Sequence, residues 1–187
     1  MQYKPEIYHR RSIRLRGYDY AQAGLYFITL CTHERRPLFG EVVGADMQLN
    51  AAGMMVETGW QELANKYPGI QLHEYVTMPN HLHGIIEIVG APLVGAQSGI
   101  CINGRAATRA APTGDRKTIG DIVGAFKSLT TNAYIRGVKN NDWHPFNDKL
   151  WQRNYYEHII RNDESYLKIA EYIHNNPLQW QDDVYHV

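Results

Sequence analysis

The chain predicts an α+β fold of the ferredoxin-like, split βαβ kind: an antiparallel sheet carrying helices, with one added helix at the C-terminal end. Three observations carry that expectation. Strand-like and helix-like runs alternate in the order strand, helix, strand, strand, helix, strand, and a last helix follows. Two extended apolar runs adjoin at Met78-Pro-Asn80, the punctuation of a tight turn between neighbouring strands. The 187 residues show no internal repeat and suit a single domain, 1–187, with one buried core.

The first strand is Leu25-Tyr-Phe-Ile-Thr-Leu-Cys-Thr32, dense in aromatic and β-branched residues. Residues 38 to 49, with Gly40 and Gly44, read as a short hairpin or loop. Asn50 caps a helix whose Ala52, Met55, Val56, Trp60 and Leu63 recur at helical spacing, and Tyr67-Pro-Gly69 ends it. Strands over 72–78 and 81–89 flank the Pro-Asn turn. Residues 90 to 117, rich in Gly, Ala, Pro and Ser without periodicity, read as a flexible insertion. Thr118 caps a helix bearing Ile119, Ile122, Val123, Phe126, Leu129 and Ala133, expected to end near Gly137. A fourth strand is expected over 150–160. The last helix opens at Asn162-Asp163 with the stripe Tyr166, Ile169, Ala170 and Ile173, and Pro177 closes it.

Nineteen basic and nineteen acidic residues cancel, so no global field announces a polyanionic partner. The charge is uneven: residues 1–40 hold seven basic side chains against three acidic ones, a local basic arm able to track phosphates or simply to be solvated. Two cysteines exclude a disulfide scaffold and a thiolate metal site. No signal-peptide pattern and no membrane-length apolar run is present, which reads as a soluble, cytoplasmic protein.

The densest chemical signal is Tyr75-Val-Thr-Met-Pro-Asn-His-Leu-His-Gly84. Side chains two apart on a strand share a face, so His81 and His83 can close on one cation. Nine histidines make a chance His-x-His unsurprising, and an ordinary polar pair at a strand end is the plain alternative. Among thirteen tyrosines, Tyr172 stands apart. It lies on a predicted helix, at the border of the apolar stripe, with the oxygen ligand Asn176 four residues later and hence adjacent in space. An amphipathic tyrosine at a core rim would show the same spacing. Two imidazoles and one amide oxygen leave coordination positions open and suit Mg²⁺ or Mn²⁺ better than structural Zn²⁺. A phenol with its ordinary pKa of about 10 needs such a cation to become a nucleophile.

These blocks, together with Tyr26-Phe-Ile-Thr-Leu30, Arg35-Arg-Pro-Leu-Phe-Gly40, Lys127-Ser128, Trp151-Gln-Arg-Asn-Tyr-Tyr-Glu-His-Ile-Ile-Arg161 and Tyr172-Ile-His-Asn-Asn-Pro177, run through nearly the whole chain. In that order they resemble the single-tyrosine HUH transposases, especially the REP-associated tyrosine transposases. The resemblance implies that His81 and His83 ligate the metal, that Leu82 takes the bulky apolar place between them, and that Tyr172 is the nucleophile on the C-terminal helix. It implies that Asn176 is the polar ligand one turn later, although Pro177 disfavours helical geometry at the residue before it. By the same resemblance the partner is single-stranded DNA folded into hairpins, REP-like or at element ends. Cutting would use a divalent ion and give a 5′-phosphotyrosine and a free 3′-OH, whose reversal rejoins strands. Relatives act as monomers or as homodimers.

Arg11, Arg14, Arg16, Lys127, Arg153 and Arg161 are candidates for phosphate, and Trp151 and Tyr155 for base stacking. Packing or solvation is the alternative for each. His158 is a candidate to orient a catalytic group or to be held by a strand hydrogen bond. Two further readings compete: a domesticated module that binds hairpins without cutting, and a metal phosphodiesterase that uses water and holds no covalent intermediate.

Overall fold

The computed structural model describes residues 17–89 and 117–186. The N-terminal arm with Arg11, Arg14 and Arg16, and all but the last residue of the insertion expected at 90–117, lie outside the described residues. Among the described residues six strands and three α-helices follow one another: β1 Gly24–Cys31, β2 Gly40–Val43, β3 Asp46–Leu49, α1 Ala51–Lys66, β4 Ile70–Met78, β5 His81–Ile88, α2 Ile119–Asn140, β6 Tyr156–Ile160 and α3 Asp163–Asn175. Short 3₁₀ turns occupy His33–Arg35 and Trp180–Asp182.

The main sheet runs β4-β5-β1-β6 with every pairing antiparallel, which is the ferredoxin-like order. β2 and β3 form a separate hairpin. Alternation along β1 and β5 divides the chain between two faces of this sheet. Tyr26, Ile28, Leu30, Leu82 and Ile86 join the large core beneath α1 and α2. Phe27 and Ile85 point the other way and meet Ile160 and Ile173 beneath α3.

Local chemistry explains the helix starts. Asn50 accepts from the Gly53 amide, Asn162 from the Ser165 amide, and Thr118 makes a full capping box with Asp121. Gly84 lies under Trp60 so closely that a Cβ would run into the indole, so the central strand needs glycine there.

Three expectations require correction. The fourth strand covers only Tyr156–Ile160. Leu150 and Trp151 are apolar because they enter the α1/α2 core, and Trp151 makes only an isolated bridge to Thr32. α2 continues past Gly137 to Asn140. Gly137 is there because the Trp143 ring lies against it, where a Cβ would collide, and not to stop the helix. Asn176 keeps helical geometry (φ −59°, ψ −41°) despite Pro177. Its amide donates to Ile173 O at 3.3 Å, and its side chain is tied to Asp183, so tertiary contacts override the local preference.

Candidate metal centre and its tyrosine

His81 and His83 open β5 on the α3 face, opposite Cys31 and Thr29 of β1. Both imidazoles are buried, with ring centroids 4.4 Å apart. His81 Nδ1 donates to Asn80 Oδ1 at 2.8 Å, because an amide oxygen can only accept. That fixes the tautomer and leaves the lone pair of Nε2 directed inward. Asn80 is itself oriented by donating to Arg35 O at 2.9 Å and Tyr185 O at 2.8 Å. His83 Nδ1 shares a 2.8 Å hydrogen bond with Thr29 Oγ1, and Phe27 stacks on its ring.

α3 crosses this face and is anchored at its start. The Tyr166 hydroxyl donates to Glu74 at 2.6 Å, beside the pair His73–Glu87. Two turns further on, the Tyr172 hydroxyl reaches His83 Nε2 at 3.1 Å, and its ring meets Phe27 edge-on. Asn176 follows one turn later, fully buried, and donates from Nδ2 to Asp183 Oδ2 at 2.8 Å.

Two buried atoms at this centre lack a hydrogen-bond partner among the described residues: His81 Nε2 and Asn176 Oδ1. Leaving a buried polar atom unmade costs roughly 1–3 kcal/mol. Both are electron-pair donors, so the donor set fits a cation. Burial pushes His81 down to about 4, against the opposing pull of Asp183 and Asn176. Burial, then the neighbouring His81, pushes His83 well below its ordinary value. Both rings are therefore neutral at pH 7, the form that binds metal. Tyr172 is pushed up to about 12, first by burial and next by Asp183.

The segment after α3 covers the centre, a feature the sequence reading missed. Asp183, His81 and His83 place one ligand atom each within 4.8 Å of one another. The Tyr185 ring packs against His81 at 4.8 Å and His83 at 5.7 Å, and Trp180 lies 5.9 Å from His81. Arg35 donates to Val184 O at 2.6 Å and lies over Tyr185. It does so from a turn in which Glu34 and Arg35 both adopt positive φ, an uncommon geometry for side-chain-bearing residues.

The remaining candidates separate. Trp151 is buried, its indole donating to Thr130 Oγ1 at 2.9 Å between Phe39 and Phe126, so no ring face is open to a base. Lys127 donates to the carbonyls of Gln152 and Asn154 at 2.8 and 3.1 Å and lies over Tyr155, pinning the loop before β6. Burial lowers its amine to about 8. Arg153, Arg161 and His158 are exposed.

Comparison with known proteins places the fold in a class. Covering 89% of this chain and 73% of its own, the REP-associated tyrosine transposase solved bound to a REP hairpin aligns with a TM-score of 0.56 at 20% identity. The fold is that of this transposase structure. No family model matches the chain. It is 43% identical over 185 residues to an uncharacterized protein of Haemophilus influenzae, covering 99% of this chain and 97% of that one, and it belongs to the same family as that protein. No helix among the described residues is long and apolar enough to cross a membrane.

Proposed function

We propose that this chain is a metal-dependent, transposase-like endonuclease and strand transferase for single-stranded DNA, acting at hairpins through a phosphotyrosine. The observation that carries this reading is the 3.1 Å approach of the Tyr172 hydroxyl to His83 Nε2, with Asn176 one turn further along the same face. The DNA class is supported by a fold shared with a transposase solved on a hairpin.

His81, His83 and Asn176 would hold Mg²⁺ or Mn²⁺ through neutral nitrogen and oxygen donors. When bound, the ion supplies positive charge that favours phenolate and offsets charge developing on phosphoryl oxygens. The chain's own groups do the rest. Burial keeps Tyr172 a phenol until such charge arrives, which protects it from idle reaction. Phe27 and His83 hold the ring in one orientation on a helix, which favours a defined line of attack.

In the reaction the Tyr172 oxygen forms a bond to phosphorus and the P–O3′ bond breaks. The phenolic proton ends on the departing 3′ oxygen. The products are a 5′-phosphotyrosine and a free 3′-OH, and attack by a 3′-OH on the adduct reverses the step and joins strands. Tyrosine and imidazoles meet within one chain, so we read the reaction as performed in cis, without exchange across a homodimer. Arg11, Arg14, Arg16, Arg153 and Arg161 are proposed to hold backbone phosphates.

Labelled hairpin DNA incubated with Mn²⁺ tests this. The native protein is expected to give an adduct that survives denaturant, and Tyr172→Phe to bind the hairpin without forming it. An adduct persisting in Tyr172→Phe moves the nucleophile elsewhere. Tight hairpin binding by the native chain with no adduct leaves a binding module that does not cut.

A further inference from the structure

We propose that Asp183 is an inner-shell ligand of the same cation, so that the segment beyond α3 completes a donor set of two imidazoles, one amide and one carboxylate. The inference rests on the metal-dependent reading above and deepens it. His81, His83 and Asp183 already place one ligand atom each within 4.8 Å of one another. Donors sharing one cation at about 2.1 Å stand no more than about 4.2 Å apart. The three donors thus face one common point, and a shared ion would draw them closer together.

The carboxylate is fixed in place. Asp183 Oδ2 accepts from Asn176 Nδ2 at 2.8 Å, and Oδ1 accepts from its own segment's Tyr185 amide at 2.7 Å. Each oxygen keeps a lone pair beyond these bonds. The bond from Asn176 turns that amide so that its oxygen, buried and unpartnered, is the atom left for a cation. His81 Nε2 is the second buried, unpartnered donor of the group. An acidic side chain in a polar tail ordinarily faces water, yet here the tail is stapled down by Asn80 and Arg35. Asn80 also orients His81, so one side chain sets both the imidazole and the segment bringing the carboxylate.

Charge supports the assignment. Two imidazoles and an amide contribute no negative charge against a divalent ion, and Asp183 contributes one. A hard oxygen anion beside two nitrogens suits Mn²⁺.

The alternative is that Asp183 only orients Asn176. Asp183→Asn keeps the shape and removes the charge. Calorimetric titration with Mn²⁺ alone is expected to show its dissociation constant raised at least tenfold, with thermal unfolding in chelator close to that of the native protein. Asp183→Cys, loaded with Co²⁺, is expected to show a sulfur-to-cobalt charge-transfer band in the near ultraviolet. The native protein, which carries the buried Cys31, serves as the blank.

Unchanged Mn²⁺ affinity in Asp183→Asn, or Co²⁺ binding by Asp183→Cys without the band, overturns the direct ligand. If His81→Ala loses metal while both Asp183 variants bind as the native chain does, only this inference fails. If the native protein takes up neither Mn²⁺ nor Co²⁺, the metal-dependent reading fails and this ligand with it.

Discussion

The Tyr172 hydroxyl and His83 Nε2 stand 3.1 Å apart, so helix α3 and central strand β5 meet through two functional groups. Tyr172→Phe keeps the ring against Phe27 and gives up the hydroxyl's bond to His83. The expected cost is about 1 kcal/mol of stability, the usual net worth of a hydrogen bond. Chemical denaturation of the two proteins in chelator measures it. A cost of several kcal/mol would mean that the ring position itself had been lost.

Metal removal should be visible as stability. An ion that binds only the folded chain adds about 2.7 kcal/mol at a hundredfold excess over its dissociation constant. Mn²⁺ should therefore raise the melting temperature of the native protein, and chelator should reverse it. The increment should vanish in His81→Ala and His83→Ala. A melting curve indifferent to Mn²⁺ would contradict the assignment of the unpartnered donors.

Trp151 and the exposed arginines should respond in opposite ways. Trp151→Ala opens a core cavity and should cost roughly 3–5 kcal/mol, read from denaturant unfolding. Arg153→Ala and Arg161→Ala should leave stability within about 0.5 kcal/mol. Each is expected to weaken hairpin binding and to lower the slope of log affinity against log salt by about 1. Titrations at several salt concentrations distinguish these outcomes.

Lys127 gives a pH dependence of known sign. Its amine titrates at about 8 in the folded chain because burial disfavours the charge, against an ordinary 10.5. Between those values the unfolded chain holds a proton that the folded one has released. Stability contributed by this group thus rises as pH climbs from about 8. Lys127→Met should flatten the rise between pH 8 and 9.5 in paired denaturation curves. A parallel pair of curves would show that the amine titrates elsewhere.

Gly84→Ala should destabilise by about 1–3 kcal/mol, since the new methyl meets the Trp60 ring between a central strand and α1. Denaturant midpoints of the two proteins check this. An unchanged midpoint would show that the indole can retreat at no cost.

The sheet and its helices were legible because alternation in β1 and β5 and the stripes of α1, α2 and α3 follow single periods, although Leu129, expected on the apolar face of α2, is exposed. The His81–Tyr172–Asn176 grouping was legible as spacing and resemblance. Asp183 and Tyr185 were not, because they follow Pro177 in a stretch without periodicity and are brought to the centre by tertiary contacts with Asn80, Arg35 and Asn176. Trp151 misled for a related reason: an apolar residue before a strand looks the same whether it enters a ladder or a core. Lys127 likewise read as a phosphate ligand, since nothing local reveals that two backbone carbonyls await it.

The unequal division of the sheet's two faces has a dynamic consequence. One face carries a broad core under two helices, whereas α3 contributes only Ile173 as a fully buried residue. A helix with so small a buried face is expected to open at lower free energy than α1 and α2. Amides of α3 should exchange with deuterium well before those of α1 and α2. Tyr172, carried on that helix, would then move away from His83 while the remainder of the molecule stays folded.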